Sequence, residues 1–524
     1  MIVDSGDTAN RLTRGTLLRR GALTLGALAL PIDLAAFPGD AIAETAVKRG
    51  GRLRVGHVGS GAAETVNPLR GVSFIDAARA VNLFDSLTVV APDSSIRPSL
   101  AEEMLPNKAA SVWQVNLRKG VTFHNGKELS ADDVLYTLRT IVAKKGVGAS
   151  VLAPIDVHRS RKVNASTVEI RLKRPIGDLP RLFASNLVVI FPDGTTSFAK
   201  PVGTGPFSFH SFKAGQRSLF LRNPNYWVSG RPYVDELEQI SIPDNAARLN
   251  ALLSGQIDAL EFLDFAQAKA LRHDKRVHLV VAKGSASTPM YMRTNVKPFS
   301  DARVRQAFKL AIDRPKTIEI AFSGLGSIGN DVFGKGAPSY NTHLPQHVYD
   351  PDRAKALLKQ AGMQNLRVEL LTAPAGPGLV ESATAFAEQA KAAGITIKLN
   401  KVPSADLYNT QRYYLKVPFG QTQWGGQVFE EIAANALLST SPYNETAWHD
   451  PAWEKRFLHA QATVDPSARN KIYFELEREL WNRGGYIIWG FQDTLDAAAA
   501  NVKGIVPNQR FNLGNYDFKD FWLA

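Results

Sequence analysis

Between residues 350 and 400 the hydrophobic pattern changes period twice, and this constrains the fold more than any other feature of the chain. Asp350-Pro351 predicts a helix start, with the acid as cap and the proline in the first turn; Ala354, Leu357 and Leu358 share a face, and Gly362 is the stop. A strand is predicted over Arg367–Thr372 and a helix over 380–393, ended by Gly394. In the strand that follows, Ile395, Ile397 and Leu399 alternate with Thr396, Lys398 and Asn400. Strand, helix and strand in so short a span make a βαβ unit, which needs a parallel sheet with helices on its faces. The expected class is α/β.

The rest of the chain fits that class. Leu53, Val55 and Val58 mark a strand that leads into the turn Gly59-Ser60-Gly61. Over 113–123, Trp113, Val115 and Leu117 alternate with Gln114, Asn116 and Arg118, Lys119-Gly120 turns the chain, and a hairpin is predicted. Ser130 caps a helix whose first turn holds Asp132 and Asp133; acids there complement the helix dipole and are read as capping groups, not as metal ligands. Asp465-Pro466 starts a long helix through Ile472, Leu476 and Leu480 to Gly484-Gly485.

At 524 residues there is room for about three domains. The absence of cysteine excludes disulfides, thiolate metal sites, a cysteine nucleophile and a lipidated cysteine. The 62 Lys and Arg exceed the 49 Asp and Glu, a net charge of +13, but they are spread singly, with Lys144-Lys145 typical of the densest runs. A nucleic-acid binder gathers its charge into a stripe, so that role is set aside. At the amino terminus, Arg11, Arg14, Arg19 and Arg20 precede an apolar run over 22–30, and the small-residue site Ala41-Ile42-Ala43 follows before Glu44. This order predicts an export signal over 1–43, and the run is too short for a membrane span. Arg19-Arg20 fits twin-arginine export, whereas Leu18 and Ala22 depart from its usual pattern, so both export routes stay open. The mature chain is expected to start near Glu44, soluble and periplasmic.

No catalytic constellation emerges. Gly324, Gly326 and Gly329 follow a helix-like stretch, whereas dinucleotide binding needs them after a strand, so they are read as a loop. His343 and His347 have zinc-helix spacing, but Pro345 separates them and no Glu follows His343, so a surface loop is expected. No phosphate loop and no serine-hydrolase elbow occur. Binding therefore outranks catalysis, and no cofactor or metal is expected.

Six segments in order resemble the family 5 extracellular solute-binding proteins, which serve ABC importers. They are Leu117-Arg-Lys-Gly-Val-Thr-Phe-His-Asn-Gly126 with Ala131-Asp-Asp-Val134, Pro201-Val-Gly-Thr-Gly-Pro206, Asn223-Pro-Asn-Tyr-Trp227, the run from Arg248 to Asp258, Asp301-Ala-Arg-Val-Arg-Gln-Ala-Phe308 with Ala311-Ile-Asp-Arg314, and the run from Asp350 to Leu358. Much of this is scaffold: Ser300 opens a helix with Val304, Ala307, Phe308, Ala311 and Ile312 on one face, while Arg303, Arg305 and Lys309 point elsewhere. Tyr226 and Trp227 are expected to pack beneath the Asn223-Pro224 turn and not in a ligand pocket.

The resemblance implies a two-lobed periplasmic-binding-protein fold with a hinge and a small domain inserted in the first lobe. On it, 46–90, 201–292 and 493–524 form the first lobe, 91–200 the insert and 293–492 the second lobe. It implies a monomer that captures a peptide, opine-like or sugar-containing solute between its lobes and delivers it to ABC permease membrane subunits. Other uses of an exported protein, as a receptor or chaperone on the same fold or as a hydrolase, stay open. Peptide-binding relatives carry Trp-x-x-Asp, whose carboxylate takes the peptide ammonium; the corresponding segment here is Trp424, Gly425, Gly426 and Gln427, without the carboxylate. Facing it, Val72, Ser73 and Phe74 align with a first-lobe contact stretch, and Tyr291 lies beside a crossing segment.

Overall fold

The computed structural model describes residues 47–524. The expected export signal lies outside the described residues. Among these, no helix is long and apolar enough to cross a membrane.

The predicted βαβ unit is present. Asp350 accepts the Arg353 N–H and caps the helix Pro351–Gln360, and Arg367–Thr372 runs parallel to Thr396–Lys401. Between them, the helix Leu379–Gln389 tightens into a 3₁₀ turn that ends at Gly394, where φ is 76° and glycine carries no steric penalty. These strands begin the second-lobe sheet, which continues through Phe419–Gln421 and Met290–Met292 to Tyr486–Ile487.

The first-lobe sheet runs Val277–Ala286, Gly490–Ala499, Ala259–Leu260, Arg52–His57, Glu236–Ser241, Arg217–Arg222, Phe207–Lys213. Arg52–His57 is parallel to both its neighbours. The glycine-rich stretch after 322 is not loop throughout: Gly326–Ile328 adds a short strand to Gly490–Ala499. The chain leaves this sheet for the second at 287–289, touches it again at Gly326–Ile328 and returns at 488–489. The two crossings are tied together, because the Trp489 indole donates to the Thr288 carbonyl at 2.9 Å.

Within the span of the insert, four antiparallel strands run Ala101–Pro106, Val112–Leu117, Thr167–Leu172, Ile155–Asn164. The helix Ala131–Ala143 packs on the last of them, with Ser130 and Asp133 forming a reciprocal capping box. The hairpin expected over 113–123 does not form. Val112–Leu117 pairs instead with 101–106 and 167–172, where Trp113, Val115 and Leu117 bury alongside Val168 and Ile170.

Two further expectations are corrected by packing. Asp301, not Ser300, caps the helix Ala302–Leu310. Arg305 and Lys309 do not point away: both are buried and donate to carbonyls at the end of the helix Pro466–Arg483, Arg305 to Arg483 at 3.0 Å and Lys309 to Leu480 at 3.0 Å. Cations suit that negative helix end, which explains their burial. His347 is likewise no surface residue: it is buried, stacks on Trp481 and places Nδ1 2.7 Å from Asp331.

Candidate functional site

A cavity of about 850 Å³ opens where three parts of the molecule meet: the insert helix Leu179–Phe183, the second-lobe helix Phe429–Ala436, and the carboxy-terminal stretch 504–521. Glu430 and Glu431 lie in the first turn of the Phe429–Ala436 helix, where its dipole favours acids. Each reaches an arginine from a different part. Glu430 lies 3.4 Å from the Arg181 guanidinium and accepts the Ser339 hydroxyl at 2.7 Å. Glu431 pairs with Arg510 at 2.9 Å. Burial raises the Glu430 pKa, and Arg181 opposes that rise. Asp178 sits between Arg181 at 3.1 Å and Arg469 at 3.4 Å, a second tie from insert to second lobe.

Another wall is set by Asp85, which accepts from Thr204 Oγ1 at 2.8 Å, Trp227 Nε1 at 3.0 Å and Tyr226 OH at 3.2 Å. Burial raises its pKa despite these donors. A Cβ at Gly203 would stand 2.0 Å from the Leu83 carbonyl oxygen, so glycine is needed for the close return that delivers Thr204 to Asp85. Tyr226 and Trp227 are anchored below their turn but, contrary to the expectation that they stay out of the pocket, both line the cavity.

Of the residues proposed from sequence, Gln427 lines this cavity; Trp424, Gly425, Gly426, Val72, Ser73, Phe74 and Tyr291 do not. Gly425 is exposed with open space where a Cβ would stand, and Gly426 lies against the Arg510 backbone. Trp424 is only 9% exposed. Its backbone bridges Ser287 on the first crossing segment, at 2.9 Å in both directions, and its indole donates to Glu445 at 3.2 Å. Glu445 also accepts from Tyr414 at 2.6 Å, Thr422 at 2.6 Å and Tyr486 at 2.7 Å. Tyr291 is fully buried in the second-lobe sheet between Gly420 and Tyr486. Ser73 is the N-cap of the helix Phe74–Leu83, while Val72 and Phe74 are exposed beside it. Arg181, Arg510 and Glu445 were not found from sequence, because no local pattern distinguishes them from surface charges.

A sequence profile described as "Bacterial extracellular solute-binding proteins, family 5 Middle" matches residues 95–445. The chain belongs to this family. The family 5 protein is 23% identical over 514 residues to the glutathione-binding protein GsiB of Salmonella choleraesuis (strain SC-B67), covering 94% of this chain and 98% of that one. It is 25% identical over 468 residues to the dipeptide-binding protein of Escherichia coli (strain K12), covering 82% and 86%. Among solved structures, HbpA2 from Haemophilus parasuis superposes with a TM-score of 0.80 at 21% identity, covering 90% of this chain and all of that one. The two lobes, the paired crossings and the insert are the periplasmic-binding-protein fold.

Proposed function

We propose that this protein is the periplasmic receptor of an ABC importer and captures a peptide or peptide-like solute between its lobes for delivery to the permease. The carrying observation is the cavity shared by the insert and both lobes, with Gln427 among the residues of its wall. The relatives named for glutathione and dipeptide binding support a peptide-like class. A Gln amide offers one neutral acceptor and two donor hydrogens, so it lacks the charge that selects an ammonium. Glu430 and Glu431, the next acids along the chain, are paired with Arg181 and Arg510, which supports this reading. The reading is therefore of a solute without a free α-ammonium at this point, such as a blocked or modified peptide, an opine-like conjugate or a sugar-containing molecule. Trp424, Gly425 and Gly426 carry the loop that presents Gln427, with the Trp424 indole holding that loop on Glu445.

Native mass spectrometry of the purified protein is expected to reveal one carried solute per monomer. Calorimetry with free and amino-acetylated forms of one peptide is expected to favour the acetylated form, and Gln427→Asp to reverse that preference. A preference of the unmodified protein for the free amine by about tenfold, equal to about 1.4 kcal/mol, overturns the reading.

A further inference from the structure

Phe262 sits in the left-handed region with φ of 56°, a conformation that a bulky side chain rarely adopts. Its surroundings hold it there. The Phe262 N–H donates to Asp496 at 3.2 Å, and its carbonyl accepts from Arg248 at 3.1 Å. Arg248 and Asp496 are both buried, and Arg248 also grips the carbonyls of Glu261 at 3.1 Å and Ile242 at 2.7 Å. Glu261, next in the chain, accepts the Val58 N–H at 2.8 Å. Buried ionisable groups thus clamp the backbone on both sides of one strained phenylalanine.

Core packing does not account for its ring. Leu260 and Leu263 on either side enter an apolar core, but Phe262 belongs to none of the apolar cores among the described residues, and neither does Phe74. The two rings lie 4.6 Å apart between centroids, tilted by 57°. Phe74 is 50% exposed, at the start of a helix whose preceding Val72 is 81% exposed.

The topology says what this pair faces. Phe262 follows the carboxyl end of Ala259–Leu260, which is parallel to Arg52–His57 and, through the antiparallel Gly490–Ala499, runs in the direction of Val277–Ala286. The first crossing leaves from that same edge, so Phe262 and Phe74 stand on the side of the first sheet turned to the second lobe. At the start of the helix Phe265–Leu271 that follows, Phe265 packs on Phe322, which stacks on Trp489 in the return crossing. In open α/β sheets, ligands settle outside the carboxyl ends of parallel strands. Strain is retained at such positions where function requires it.

We propose that Phe262 and Phe74 form an aromatic platform on the first lobe that receives an aromatic side chain of the captured solute, with Phe262 as the specificity-determining residue. This rests on the reading that a peptide-like solute enters between the lobes. An aromatic ring can meet the pair edge to face, the geometry that aromatic quadrupoles favour.

The test uses calorimetry with two blocked peptides, N-acetyl-Ala-Phe-Ala and N-acetyl-Ala-Ala-Ala, on the full chain and on two variants. Phe262→Gly keeps the positive φ at no steric cost, and Phe74→Ala removes the exposed partner. The unmodified protein is expected to prefer the phenylalanine peptide by about tenfold, and each variant to reduce that preference to about twofold or less. No preference in the unmodified protein, or a preference kept by both folded variants, overturns the platform. If the unmodified protein binds neither peptide, the peptide reading fails and the platform is judged by anilinonaphthalene sulfonate fluorescence. Dye bound by the unmodified protein and lost in both variants supports it; dye binding that is absent or unchanged overturns it.

Discussion

Glu445 is fully buried with no cation within 4.0 Å among the described residues, a placement that ordinarily neutralises a carboxylate. Burial raises its pKa, and donors from Thr422, Tyr414, Tyr486 and Trp424 oppose the rise. These donors come from separate stretches of the second lobe, so one acid orders the Trp424 loop and the strand leading to the return crossing. Glu445→Ala leaves all four donors without an acceptor and is expected to destabilise the protein by at least about 3 kcal/mol in chemical denaturation. Glu445→Gln keeps a carbonyl acceptor and is expected to lose clearly less. An alanine variant as stable as the unmodified protein would show that the node is not structural. The motif singled out Trp424 as a pocket residue, and the structure places it on Glu445 and outside the cavity lining. Glu445 was not legible from the sequence, since it lies in an irregular stretch and meets its partners only in space.

Among the elements, the strand Gly490–Ala499 ties the Phe262 backbone to the carboxy-terminal stretch. Its Asp496 accepts from the Phe262 N–H, from Asn512 Nδ2 at 2.5 Å and from the Leu513 N–H at 2.6 Å. Burial pushes the Asp496 carboxyl up to about 7, with Glu261 adding to the rise and these donors opposing it. An unfolded aspartate titrates near 3.9, so between about pH 4 and 7 the folded chain holds a proton that the unfolded chain has released. The contribution of Asp496 to stability is therefore greatest below that window and declines as pH rises through it. Asp496→Asn removes this slope: relative to the variant, the unmodified protein is expected to lose stability between about pH 4 and 7 in matched denaturant titrations, and parallel profiles would refute the assignment. Neither the strand nor its coupling to Phe262 was read from the sequence, because the segment shows no clear alternation and Asp496 reads as an ordinary polar position. The same holds for Arg305 and Lys309, whose carbonyl partners lie more than a hundred residues away.

At the scale of the whole molecule, the lobes are linked through 287–289 and 488–489, which the Trp489–Thr288 hydrogen bond couples, and through Gly326–Ile328 on the first-lobe sheet. Closure needs the solute to bind the closed form better, and turning a 1:99 ratio into 99:1 takes about 5.5 kcal/mol of differential affinity. The Arg181–Glu430 and Arg510–Glu431 pairs reach across parts of the molecule and are contacts such a motion makes or breaks. Small-angle scattering is expected to show a smaller radius of gyration at saturating solute; identical profiles with and without it would count against hinge closure.

The sequence by itself determined the local grammar. The period change after residue 350, the Asp-Pro caps and Gly394 are decided by neighbours within a few positions, so the βαβ unit could be read directly. The ordered motifs that mark family 5 could be read in the same way. Tertiary structure alone decided which strand Val112–Leu117 would pair with, which cations would be buried, and which side chains would meet at the cavity. The physical reason is range. A cap or a period acts through adjacent residues, whereas burial, counter-charge and a strained Phe262 depend on groups that only the packed fold brings together.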